Sequence, residues 1–273
     1  VTALLRSAAA ACALLVTLTA CTASPSPEPG DEPSPSSTPT VTVPPDPGPT
    51  PAVGECHDLT FGQALAVVGR TSSVACRKDH TAQTYFVGRL DLTTKSGSTR
   101  RVDSQAAQRQ MRRACTRRLP RHLARTPLQM RLNMAQAVWF TPTPEHAADG
   151  ADWFRCDVVV VAAPRTLLLL PRWTKNWGEA PAIAMCATAA PGTRAFKRVT
   201  CGSKHTWRAT TTVDIPGERL PKAAAIAERM DPACRDAARS QADDPLEFTW
   251  SQESPTAEQW DAGQRYGICW VPA

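Results

Sequence analysis

The chain has no long hydrophobic run in its main body: Leu167 to Leu170 is only four residues, far below the 18 or more needed to span a bilayer. That excludes a membrane helix there. Aromatic residues are scarce at 6%, although eight of them are Trp and can serve as large packing anchors. The chain has no G-x-S-x-G turn and no glycine loop that would cradle a phosphate, so the usual sequence signs of a serine hydrolase or a nucleotide site are missing. Acidic residues are also unevenly spread. After Asp103 there is none until Glu145, while ten Arg fall between Arg100 and Arg131.

The 273 residues allow about two domains of ordinary size. Apolar content of 42% is enough to build cores, and the net charge of +6 favours anionic partners. At the N-terminus, Arg6 is followed by an apolar run from Ser7 to Leu18, too short to span a membrane and suited to a signal-peptide core. The run ends in Leu18-Thr19-Ala20-Cys21, which resembles the lipobox of bacterial lipoprotein precursors and makes Cys21 the candidate lipidation site. The expected location is therefore extracytoplasmic, with the chain held to the cell membrane by an N-terminal lipid. From Ser24 to Pro51 a Pro stands at 11 of 28 positions among Ser, Thr, Asp, Glu and Gly. Such a segment cannot bury a core. It favours extended polyproline II with a reach of roughly 90 Å, a spacer between membrane and folded part.

Cys12 and Cys21 lie in the signal region, and the other eight cysteines form two sets of four: Cys56, Cys76, Cys115, Cys156 and Cys186, Cys201, Cys234, Cys269. Both sets are spaced short, long, long. Val74 to Thr81 parallels Val199 to Thr206, and Met111 to Cys115 parallels Met230 to Cys234. Gly150 and Gly263 each stand six residues before the last cysteine of their set, and Trp139 and Trp250 each precede a Thr/Pro-rich loop. These matches predict a duplicated unit, with boundaries at 1–21 (signal), 22–53 (spacer), 54–165 (first module) and 166–273 (second module).

In an exported chain an even cysteine count reads as a disulfide framework. Four cysteines allow three pairings per module. The pairs Cys56–Cys76, Cys115–Cys156, Cys186–Cys201 and Cys234–Cys269 are favoured because each closes a modest loop within one module, contributing roughly 3–4 kcal/mol by the chain-entropy account.

The expected fold class is α+β: two tandem related modules, each a small, mostly antiparallel sheet with one packed helix and two disulfides. Thr84–Leu92 and Thr206–Ile215 read as strands. A helix begins at Asp103/Ser104 and buries Ala107, Met111, Cys115 and Leu119. Its counterpart starts near Pro221 and buries Ile226, Met230, Cys234 and Ala237, with Pro232 expected to kink or split it. Closing strands are expected at Met130–Phe140, Arg155–Ala162, Glu247–Trp250 and Tyr266–Val271.

Cys76-x-x-x-His80 and Cys201-x-x-x-His205 suggest zinc ligands, but each cysteine is needed for a disulfide and neither module has a second nearby Cys/His pair. The two His are expected to hold turns by hydrogen bonds, with ligand contact as the alternative. No metal or cofactor is expected. Asp152 with Asp157, and Asp243 with Asp244, are nominal carboxylate pairs expected at the solvated surface. Residues 55–173 carry 18 basic and 9 acidic side chains; residues 174–273 carry 12 of each. On the first helix Arg109, Arg112, Arg113 and Arg117 are the candidate contact face for an anionic wall polymer, lipid headgroups or an acidic envelope protein. Nucleic acid is not an expected partner outside the cell, and no aromatics interleave with these Arg in the sequence.

The module resembles that of the septum formation family, actinobacterial lipoproteins or membrane-anchored proteins with a repeated cysteine-containing ectodomain. Its features here are Gly54-Glu55-Cys56, Val74 to His80, Cys115 and Gly150 to Cys156, then Val199 to His205, Cys234 and Trp260 to Cys269. A Glu often found three positions after the His is Gln83 in one module and Arg208 in the other, and Cys186 lacks the Gly two residues before it. The resemblance implies an envelope location and a link to division or wall assembly. It implies no reaction. The first expectation is a non-catalytic, lipid-anchored binding or scaffold protein of the envelope. The alternatives are an envelope hydrolase acting on peptide or glycan and, less favoured, a sensor ectodomain.

Overall fold

A computed structural model describes residues 44–273. The signal segment, Cys21 and most of the Pro-rich spacer lie outside the described residues.

The chain builds two antiparallel sheets, each carrying one long helix, with the short helices α1 (Phe61–Ala64) and α3 (Pro144–Ala148) beside the first. In the first, β1 (Cys56–His57), β2 (Ala82–Arg89), β4 (Trp153–Ala163) and β3 (Ala135–Phe140) lie side by side in that order, with β5 (Thr166–Leu167) on β4. In the second, the order is β7 (Arg198–Thr200), β6 (Met185–Ala187), β8 (Trp207–Asp214), β10 (Tyr266–Pro272) and β9 (Ser251–Glu253). Removing β7 from the second sheet and β5 from the first leaves the same topology twice. In the first sheet the place of β7 is taken by a single bridge between Cys56 and Val74. Both sheets also carry the same bulge. Tyr85 is the extra residue between Thr84↔Asp157 and Phe86↔Cys156, and Thr210 between Ala209↔Trp270 and Thr211↔Cys269.

Helix α2 (Gln105–His122) starts where Ser104 Oγ accepts from the Ala107 N–H, and it buries Ala107, Met111, Cys115 and Leu119 at four-residue spacing. Helix α4 (Ala223–Arg239) buries Ile226, Met230, Cys234 and Ala238. Ala238 replaces the expected Ala237 because a strict i+4 step from Cys234 keeps the stripe on the sheet. Pro232 does not split this helix. It sits on the exposed side, while Met230 and Cys234 on either side of it are packed and outweigh the one backbone bond it removes.

The disulfides are Cys56–Cys76, Cys115–Cys156, Cys186–Cys201 and Cys234–Cys269, two in each sheet region. The second and fourth tie each helix to the central strand beneath it. Four such bonds place the folded part in an oxidising compartment outside the cytoplasm. Among the described residues no helix is long and apolar enough to cross a membrane.

Two expected strands differ from the structure. Glu247–Trp250 is irregular and the strand begins at Ser251, because Trp250 packs toward α4 rather than pairing in the sheet. Met130–Phe140 opens with a short 3-10 turn, and its strand starts at Ala135. Trp139 lies opposite Cys156 while Cys269 lies opposite Gln252, so the two tryptophans are two residues out of structural register.

The two sheets share one core. Met111, Cys115, Leu119, Leu123, Val158 and Val160 continue without a break into Ile183, Met185, Ala187, Ile268 and Trp270. The Met134 N–H donates to Ile183 O (2.8 Å), and Arg131 donates to Asp214 (2.6 Å) while stacking on Tyr266. The far face of the second sheet is therefore buried against the first module. A smaller cluster of Ile215, Ile226, Met230 and Trp260 fills the space under α4.

Candidate functional site

Three short-range constraints assemble an arginine-lined groove on the first module. Helix α2 projects Arg109, Arg113 and Arg117 along one edge at i, i+4 spacing. Gln110 clamps the helix to the end of β2, donating to Arg89 O (3.0 Å) and accepting from the Asp91 N–H (3.1 Å). Arg89 and Arg100 thereby form the opposite wall. Phe86 and Phe154 make the floor, with ring centroids 5.9 Å apart and Arg118 stacked over Phe86 at 4.0 Å. Gly88 lets the floor close, since a Cβ there would come within 2.7 Å of the Phe154 ring.

The groove has a volume of about 600 Å³ and Asp91 is its lone acid. Arg89 is paired with Asp152 (3.0 Å) at the rim. Arg100, Arg109, Arg113, Arg117 and Arg118 have no ion-pair partner among the described residues; Arg117 and Arg118 donate back to helix carbonyls of Arg113 and Ala114. Six cations, two aromatic faces and one carboxylate give the groove a strongly cationic lining. Of the four helix arginines singled out from sequence, the structure brings Arg109, Arg113 and Arg117 together and leaves Arg112 outside the groove. Phe86, Phe154, Arg89 and Arg100 escaped the sequence reading because they come from strands and a hairpin. The aromatics are not interleaved with Arg along the chain, yet the fold places them under the guanidinium groups.

His80 and His205 hold equivalent turns. In each, Nδ1 meets the carbonyl two residues back, Lys78 O at 2.8 Å and Ser203 O at 2.7 Å. His80 is fully buried and His205 half-buried. Gln83 is also structural: it donates to Arg172 O (3.0 Å) and accepts from the Thr174 N–H (2.9 Å) and hydroxyl (2.7 Å), pinning the connection between modules. A Glu there could not make the first of these bonds at neutral pH. Arg208, its counterpart, is exposed and donates to Gln241.

Asp157 overturns an expectation. Instead of lying at the surface beside Asp152, it is wholly buried, with Thr84 donating to Oδ1 (2.7 Å) and Arg155 Nε 3.1 Å from Oδ2. Strand alternation is the reason: Asp157 and Arg155 flank Cys156 and point to the sheet face away from α2. Thr84 Oγ1 also lies 3.3 Å from His57 Nε2. Burial raises the Asp157 carboxyl to about 6 against the opposing pull of Arg155 and Thr84. Burial, with the Arg155 charge adding to it, lowers His57 to about 4. Two charges two residues apart inside an otherwise apolar strand were the available sequence signal for this network. Asp243 and Asp244 lie in the exposed turn after α4.

Among the described residues no group of three or more His, Cys, Asp or Glu is placed to hold a metal ion. Comparison with curated proteins and with solved structures gave no match. A family model described as septum formation matches residues 53–269, most of the chain. With the repeated sheet, the repeated staples and this match in hand, the chain belongs to the septum formation family.

Proposed function

We propose that this is a non-catalytic, lipid-anchored binding protein of the cell envelope that grips an anionic wall polymer in the arginine groove and serves septum formation or wall assembly. The observation that carries the reading is the cluster of five arginines without carboxylate partners over an aromatic floor. A polyanion laid along α2 would neutralise the mutual repulsion of Arg109, Arg113 and Arg117, which otherwise costs a few tenths of a kcal/mol per pair. Family membership and the oxidising compartment support the envelope setting. The lipobox-like Cys21 and the Pro-rich spacer support a tethered one.

The test is cosedimentation of the Cys21→Ser protein with purified cell walls, before and after their anionic polymers are stripped. Retention should fall at least tenfold on stripping, fall with added salt, and fall similarly in the Arg109→Gln/Arg113→Gln/Arg117→Gln variant. Arg112→Gln should bind as the parent does. Equal retention of the triple variant would reduce the groove to solvated surface. Hydrolysis of wall peptide or glycan by the purified protein would instead favour the enzyme alternative.

A further inference from the structure

We infer a second binding site, independent of the arginine groove: a cavity on the opposite face of the first sheet that takes the free carboxylate of a short peptide-like ligand. The cavity, about 430 Å³, is lined by Glu55, His57, Arg70, Ser72, Trp153 and Arg155, a size in the ordinary range for small ligands.

Its most telling feature is a pair of orphaned donors. Trp153 and Arg155 are two residues apart on β4 and share a face. Both are more than nine-tenths buried (8% and 4% exposed), and neither Trp153 Nε1 nor Arg155 Nη2 has a hydrogen-bond partner among the described residues. Buried donors in folded proteins are nearly all satisfied, so two orphans on one cavity mark where a ligand acceptor belongs. Asp157 Oδ2 lies 3.1 Å from Arg155 Nε and balances the guanidinium charge, but the two are not aligned as a hydrogen bond, so Nε too is left without a partner among the described residues. The remaining edge presents the fork that matches a planar carboxylate.

Charge argues for a monoanion with a polar tail rather than a phosphate. Arg70 and Arg155 are balanced by Glu55 at the mouth and Asp157 behind, so a dianion would face an unbalanced carboxylate. Glu55, 4.0 Å from His57, is instead a ready acceptor for an N–H further along a peptide. Pro49 to Pro51 form one wall, and Gly48 just before them lies against the His146 ring. At the matching positions the second sheet has Tyr266 and Ile268 in place of the indole and the guanidinium.

The experiment uses the oxidised full chain with Cys21→Ser, isotope-labelled so that the Trp153 indole N–H is followed by NMR and assigned by Trp153→Phe. The probes are N-acetyl-Ala-Ala, the same dipeptide as its C-terminal amide, and inorganic phosphate. The free acid should give a saturable shift, with the amide and phosphate at least tenfold weaker. By tryptophan-fluorescence titration, Trp153→Phe, with its melting temperature retained, should weaken acid binding at least tenfold. The assignment is overturned by no saturable shift with the acid, by an equal response to acid and amide, or by phosphate binding as well as the acid. Unchanged acid affinity in Trp153→Phe also overturns it. Arg109→Gln/Arg113→Gln/Arg117→Gln should leave this titration unchanged, which separates failure here from failure of the groove.

Discussion

Thr84 faces Asp157 across β2 and β4, and Ala209 faces Trp270 across β8 and β10. By the same register His57 matches Ala187 and Arg155 matches Ile268. One sheet thus carries a buried His, Thr, Arg and Asp where its twin carries Ala, Ala, Ile and Trp. The surroundings account for the difference. The far face of the second sheet is pressed into the shared core, where an ionic group would lose its hydration without return. The far face of the first is covered by the segment from Asp58 to Ser73 and by Pro49 to Pro51, and it opens to a cavity. The helices diverge in the same way. Helix α2 lines a cationic groove, while α4 pairs its charges internally, Arg235 with Asp231 and Arg239 with Asp236. A shared scaffold of staples and bulges therefore leaves the charged and polar side chains free to diverge on the faces that each copy keeps open.

The sharpest way to break this comparison is to convert one sheet toward the other. Arg155→Ile alone strands the buried Asp157 and should cost about 3–5 kcal/mol in denaturant unfolding. Arg155→Ile with Asp157→Leu should recover most of that loss, to within about 1–2 kcal/mol of the parent. If the double variant is as unstable as the single, the network is more than a tolerated ion pair.

The helix staples should behave alike in both copies. Removing Cys115–Cys156 or Cys234–Cys269 by paired Ala substitution is expected to cost about 3–4 kcal/mol each, since the loops closed span 41 and 35 residues. A large inequality in calorimetric stability would mean that the shared core, which reaches Cys115 and Cys156 but not Cys234 or Cys269, sets the balance.

A smaller effect separates the two sheets by pH. Between about 4 and 6 the folded chain keeps a proton on Asp157 that the unfolded chain releases, so this group makes stability fall as pH rises. His57 acts oppositely. Its folded form is neutral above about 4 while the unfolded form holds a proton up to its ordinary 6.5, so stability rises with pH across that window. The slopes offset each other in the parent. Asp157→Asn should expose a rise of roughly 2–3 kcal/mol between pH 4 and 6.5, and His57→Gln a comparable fall. Urea titrations at several pH values measure both, and a flat profile in either variant would contradict the burial assigned to the remaining group.

Much of the scaffold was legible in the residues. Ala107, Met111, Cys115 and Leu119 announce a buried helix stripe because four-residue steps keep one face of a helix toward the sheet, and Ser104 marks its start. The two cysteine sets reveal the repeat because staples must recur wherever the helix and strand they join recur. Other features depend on partners distant in the chain. Asp157 looks like a surface carboxylate until β2 brings Thr84 beside it. Pro232 looks like a break until the packing around Met230 and Cys234 is known. Phe86 and Phe154 join the arginines only once β2 and β4 are laid beneath α2.

The placement of Pro49 to Pro51 against the first module bears on how the protein responds to load. A pull from the N-terminal side reaches the fold just ahead of Cys56, at an edge strand of two residues. Peeling that strand is arrested at once by the covalent link to Cys76. Beyond it, the loops closed by the four disulfides, roughly half of the folded chain, cannot lengthen under tension at all. Each staple thus carries tension past its own loop, and only the segments between the staples are left to extend.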